Sequence, residues 1–128
     1  MLTNKTISTP RLKQFVRLFR ESGTPVFFIH GNGSSSFFWE ETMQNLPEGF
    51  RGIAPDLRGY GDTEDQLIDA TRGMADWIAD FQALREALGI EQYHIAGHSL
   101  GGAFLFPLIA GEGERVLSAT LVAPGSPF

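Results

Sequence analysis

The sequence contains no cysteine. Disulfide staples, thiolate nucleophiles and cysteine-ligated metals are therefore excluded, and a reducing compartment is the default expectation. Positive charge is also scarce. Ten lysines and arginines stand against fifteen acidic residues, for a net charge of -5 and a pI of about 5.1. Phosphate backbones are held by clustered cations, so no nucleic-acid partner is expected. The one locally basic stretch, Arg11 to Arg20, reads as a solvated strand or helix face. No apolar run approaches the length of a membrane span. No cationic segment leads into an apolar core at the N-terminus, so a signal peptide is not expected either. A cytoplasmic protein without membrane contact is the expectation. Histidine is rare, with three in 128 residues and none after His98. No pair of them has compelling metal-ligand spacing, and no metal is expected.

Hydrophobic residues make up 42% of the chain, enough for one globular domain of this length. The stretch "TPVFFIHG" sets four consecutive β-favouring apolar residues, Val26 to Ile29, between Pro25 and Gly31. That pattern predicts a strand buried on both faces of a parallel sheet. The same shape returns in "FRGIAPD" (50–56), "EQYHIAG" (91–97) and "RVLSATLVAP" (115–124). Helical spacing lies between these runs. Met74, Trp77, Ile78, Phe81, Leu84 and Leu88 recur at threes and fours across 73–89, and Gly89 suits the C-cap. A shorter helix is predicted at 36–46. An almost wholly apolar one is predicted at 99–110, kinked or shortened by Pro107. For the first twenty residues, "KQFVRLF" is read as a twisted edge strand, with "ESGTP" as a hairpin turn into Val26. The alternation from Val26 onward predicts a three-layer α/β domain with a mostly parallel sheet.

Residues 97–101, Gly-His-Ser-Leu-Gly, fall where a strand should end and a helix begin. A nucleophile on so tight a turn has strained backbone angles, and the residues two before and two after it crowd each other. Gly97 and Gly101 remove the Cβ atoms that would clash. Ser99 is therefore the candidate nucleophile, and the amide of Leu100 at the helix start is a candidate oxyanion donor. The bland alternative for Ser99 is a helix cap. His98 abuts the serine, but its ring would have to reach back around the backbone, so a packed, hydrogen-bonded histidine is expected instead. His94, mid-strand, is expected to pack in the core or against a helix. His30 is expected to brace the loop below the site rather than take a proton.

The second site element is "HGNGSSSFFW" (30–39). Gly31 and Gly33 permit a sharp turn with free N–H groups, and the Asn32 amide could join that of Leu100. The loop lacks lysine and fits neither phosphate-binding glycine pattern, so no cofactor is expected. In "DLRGYGDT" (56–63), Asp56 and Arg58 are placed to pair and to brace the loop.

With HGNG, DLRGYGDT and GHSLGG in this order, the chain resembles the α/β-hydrolase superfamily over residues 12 to 125. The resemblance implies Ser99 as nucleophile and the Asn32 and Leu100 amides as the oxyanion hole. The "HGNGSSSFFW" loop is also similar to that of haloalkane dehalogenases. Those attack with an aspartate where this chain has Ser99, so dehalogenation is not supported. Family members run to roughly twice this length. They carry their acid after the sixth or seventh strand and their histidine after the eighth. The resemblance thus implies that residues 1–128 are the N-terminal half of a single domain, stopping after the sixth strand and without the lid. It also implies that acid and base come from missing sequence or from a second polypeptide completing the sheet. The expected function is a serine hydrolase acting on a small apolar acyl substrate, inactive as this chain alone. Two alternatives stay open: a non-catalytic interaction subunit, and a carbon–carbon-bond hydrolase of the same fold.

Overall fold

The computed structural model describes residues 1–125. The elements run β1 (Leu2–Ser8), β2 (Lys13–Phe19), β3 (Thr24–Ile29), α1 (Glu40–Gln44), β4 (Phe50–Pro55), α2 (Ala75–Ala87), β5 (Tyr93–His98), α3 (Leu100–Glu112) and β6 (Val116–Val122). A 3-10 turn, Ser36–Trp39, leads into α1. The six strands form one sheet in the order β1-β2-β4-β3-β5-β6. The last four in that order are mutually parallel, and β1 and β2 are antiparallel.

The alternation of a strand explains why "VFFI" is apolar throughout. Successive side chains point to opposite faces, so both faces must be covered. Phe27 meets Phe81 of α2 at 4.7 Å and Tyr93 at 5.2 Å, edge to face. Phe28, one residue on, stacks obliquely on Trp39 at 5.1 Å. The first face carries α2 and α3 with the larger core, including Leu84, Phe104 and Leu108. The second carries α1 with a smaller one around Met43 and Ala96. A buried polar pin joins the larger layer, where Arg85 and the Tyr93 hydroxyl both donate to Glu112 at 2.9 Å. Burial, with the Glu112 carboxylate second, pushes the Tyr93 phenol far upward.

Two expectations are corrected. The N-terminal hairpin is β1–β2, turning at Thr9, whose N–H donates to Leu12 O at 3.1 Å. The "ESGTP" segment is not a hairpin turn, because β2 pairs with β4 rather than β3. An edge strand would leave one flank open, yet Val16 is fully buried and Phe19 nearly so, which suits an interior position. The chain instead crosses beneath β4, held by Arg20 donating to the carbonyls of Leu46, Pro47 and Phe50. Secondly, Pro107 does not shorten α3, which runs on to Glu112 and ends where Gly113 turns to φ 57°. Pro107 itself lies on the exposed side of the helix.

The remaining edge is β6, which among the described residues pairs only with β5. Leu117, Leu121 and Val122 stand 36–46% exposed along it. Among the described residues no helix is long and apolar enough to cross a membrane.

Candidate active site

Three loops leave the C-terminal ends of the adjacent strands β4, β3 and β5. In a parallel sheet this is the end where ligands bind. The central one is the turn between β5 and α3. Ser99 alone separates them, at φ 56° and ψ -114°. A residue with a Cβ resists this conformation, so the surrounding packing must impose it. The glycines show how. A Cβ on Gly97 would overlap the Gly101 carbonyl, and one on Gly101 would overlap the carbonyls of Ile29 and His30. The crowding expected between positions 97 and 101 is thus seen from Gly97. Gly101 itself presses on the end of β3.

The Ser99 main chain is fully engaged. Its N–H donates to Val122 O at 3.1 Å, and its carbonyl accepts from Ala103 at 3.0 Å and Gly125 at 2.9 Å. The Ser99 N–H is therefore unavailable to a ligand. The Leu100 N–H stands in the first turn of α3, where a helix supplies no acceptor. On the facing loop, a Cβ on Gly31 would come within 3.1 Å of both Ser99 Cβ and His98 O. Its absence lets this loop lie against Ser99. Gly33 provides the turn at φ 69°. The Asn32 N–H donates to no described residue. Ser99 is half-buried, with the Gly31 loop against it on one side and the start of α3 on the other.

His30 is fully buried. Its Nε2 accepts from the Leu57 N–H at 3.0 Å, which leaves the proton on Nδ1, and Nδ1 donates to Gly31 O at 2.8 Å. Both ring nitrogens are thus spent on main chain. Burial holds its pKa below the usual histidine value, against weaker opposing pulls from Gly31 and Asp56. The unfolded chain therefore takes up a proton on acidification before the folded one does. The stability His30 contributes is complete above about pH 6.5 and is lost as pH falls toward its lowered folded value. Thermal unfolding followed from pH 7.5 to 5.5 should show the midpoint falling in the parent. The same titration should be flatter in His30→Gln, and equal slopes would remove His30 as the cause.

Asp56 is buried, and its two carboxylate oxygens accept the N–H groups of Ser36 at 2.7 Å and Asp62 at 2.8 Å. It does not pair with Arg58, contrary to expectation. Asp56 is held by those two amides, and Arg58 turns to α2, forming a fork with Asp80 at 2.8 and 2.9 Å. Asp80 also receives Arg11 at 2.7 Å. His98 is corrected too. It makes no hydrogen bond through its buried Nδ1, but stacks on the half-exposed Phe38 ring at 4.6 Å. His94 sits 2.7 Å from Ser118 Oγ rather than in the core. No described side chain hydrogen-bonds Ser99 Oγ.

Two contacts are not expected from the sequence. The Tyr60 hydroxyl donates to Asn32 Oδ1, and the Tyr60 ring packs edge-on to His30 at 5.2 Å. The buried pairing of Asp80 with Arg58 and Arg11 is not expected from the sequence either. The spacing of Asp80 from Trp77, Phe81 and Leu84 puts it on the apolar stripe, a signal that it needs a buried partner.

Residues 24–128 match the family described as alpha/beta hydrolase fold, and the chain belongs to that family. It is 36% identical over 112 residues to the dihydrolipoyllysine-residue acetyltransferase component of the acetoin cleaving system of Cupriavidus necator, covering 85% of this chain and 29% of that protein. It is 30% identical over 125 residues to the 2-hydroxy-6-oxo-6-phenylhexa-2,4-dienoate hydrolase of Comamonas testosteroni, covering 93% and 43%. Its fold superposes on an epoxide hydrolase mutant of Vigna radiata with a TM-score of 0.86 at 28% identity, covering 94% of this chain and 38% of that one. The chain thus spans less than half the length of each of these proteins.

Proposed function

We propose that residues 1–128 carry the nucleophile and oxyanion hole of a serine hydrolase acting on small apolar acyl compounds. The supporting observation is the Ser99 backbone, held at φ 56° between two glycines that contact neighbouring main chain. Ser99 Oγ attacks the carbonyl carbon and gives up its proton. The oxyanion is held by the Asn32 and Leu100 N–H groups, the leaving group departs protonated, and water then releases the acyl group. His30 and His94 are engaged elsewhere, His98 stacks on Phe38, and no described histidine hydrogen-bonds Ser99 Oγ, so this reading takes the base and its acid from polypeptide outside these 128 residues. The exposed Phe37 and Phe38 rings beside the site suit an apolar substrate.

The test is labelling of the intact polypeptide by a fluorophosphonate, with the modified peptide mapped. Label on Ser99 supports the reading, and its absence from Ser99 refutes it. The similarity to the Comamonas testosteroni enzyme favours a second reading, in which the same serine attacks a ketone and the bond to the neighbouring carbon breaks. Turnover of 2-hydroxy-6-oxo-6-phenylhexa-2,4-dienoate in preference to p-nitrophenyl esters would select it.

The exposed β6 edge, which among the described residues pairs with no strand beyond β5, is proposed to receive further strands, supplied by a second polypeptide or by more of the same one. Residues 1–128 expressed alone should self-associate or require that partner. A monodisperse monomer of 14.1 kDa, folded in size-exclusion chromatography with light scattering, would contradict this.

A further inference from the structure

Asn32 lies between two glycines, and one of them, Gly33, has left-handed backbone. A peptide flanked in this way is free to rotate, because glycine restricts neither φ nor ψ. An oxyanion donor works only if its N–H is already aimed when charge develops. Something other than the loop's own sequence must therefore fix the Asn32 amide. On its N-terminal side, His30 Nδ1–H clamps the Gly31 carbonyl at 2.8 Å, and that carbonyl also receives the Ser34 N–H at 3.3 Å. On the Asn32 residue itself the side chain is the anchor, through the Tyr60 hydroxyl. Tyr60 is in turn immobilised. Its N–H donates to Leu57 O at 2.9 Å, and its ring rests on His30, which is buried and tied at both nitrogens.

We propose that Tyr60 is a positioning residue of the hydrolase site, holding the Asn32 side chain so that the Asn32 main-chain N–H is preorganised as an oxyanion donor. The proposal rests on the hydrolase reading above. It gives the 56–63 loop a role in reaction rate that acts through Asn32. It also explains why an asparagine should stand where only a backbone amide is used. The side chain ties that amide down.

The test is a double-mutant cycle in the intact polypeptide carrying these residues, with Tyr60→Phe, Asn32→Ala and the pair. Tyr60→Phe keeps the ring against His30 and removes only the hydroxyl. Asn32→Ala keeps the main-chain N–H and removes the tether. Each single change should slow fluorophosphonate labelling of Ser99 by about 3- to 10-fold, the effect of losing one hydrogen bond. The double variant should be no slower than Asn32→Ala alone, because both remove the same link. Losses that multiply, or a Tyr60→Phe rate equal to the parent, overturn the proposal.

A second readout needs no activity. In a Ser99→Ala background, ¹⁵N relaxation of the Asn32 N–H should report greater mobility when Tyr60 becomes Phe, with the Leu100 N–H unchanged. Unchanged mobility at Asn32 overturns the tether. Increased mobility here, when the parent polypeptide with Ser99 intact takes no label at that residue, supports the tether and overturns the hydrolase reading instead.

Discussion

Replacing Ser99 with alanine is expected to abolish fluorophosphonate labelling and to lower kcat/KM for simple aryl esters by at least about 10³-fold, the scale of losing a nucleophile. The fold should be untouched. Ser99 Oγ hydrogen-bonds no described side chain, and every bond that fixes the turn is made by main chain that alanine retains. The unfavourable φ of 56° is imposed equally on serine and alanine, since both carry a Cβ. The thermal midpoint should therefore stay within about a degree or two of the parent, as for a change that opens no cavity. Measuring both quantities on one preparation separates a chemical role from a structural one. A Ser99→Ala protein that hydrolyses esters at the parent rate would end the nucleophile assignment.

Gly101→Val should do the reverse, destroying the fold. A Cβ at position 101 would sit inside the carbonyls of Ile29 and His30, which belong to the end of the central strand β3. A flexible side chain can swing aside, but these are backbone atoms, and β3 is hydrogen-bonded on both flanks. Overpacking of yielding sites costs about 1–3 kcal/mol, and this site cannot yield. Against a total stability of about 5–15 kcal/mol, the variant should be largely unfolded or aggregated. Gly111 provides the control within the same helix. It has nothing within 4 Å of a built Cβ and no positive φ. Gly111→Ala should therefore raise stability by about 0.5–1 kcal/mol through helix propensity. Circular dichroism and soluble yield of the two variants check the pair. A Gly101→Val protein with parental melting would show that β3 and α3 are not in the contact described.

The central strands β3, β4 and β5 were legible because they are largely buried on both faces and so read as short apolar runs. Phe27 and Phe28 look redundant in sequence, but they serve two different cores. The turn at Ser99 was legible for a related reason. Close approach of backbones leaves only glycine as a solution, and glycine is visible in a sequence. What stayed hidden was the choice among partners of equal chemistry. Asp56 and Arg58 are two residues apart and opposite in charge, yet each takes a partner from elsewhere, Asp56 in amides and Arg58 in Asp80. The pairing of β2 with β4 was hidden likewise, since local pattern distinguishes a strand from a helix but not one neighbouring strand from another. Tyr60 was invisible because its contact with Asn32 spans 28 residues and uses only an ordinary hydroxyl.

The attachment of Ser99 to the chain beyond α3 has a thermodynamic corollary. Its N–H is held by Val122 at the end of β6, and its carbonyl by the N–H of Gly125. Ser99 and the open border of the sheet are therefore joined by two main-chain bonds, and a displacement of that border is felt at the Ser99 backbone. Any strand that docks against β6 and steadies it would favour the reactive arrangement of Ser99. Linkage then runs both ways: whatever factor the docked strand contributes to stabilising an adduct on Ser99, the adduct must return as tighter retention of that strand.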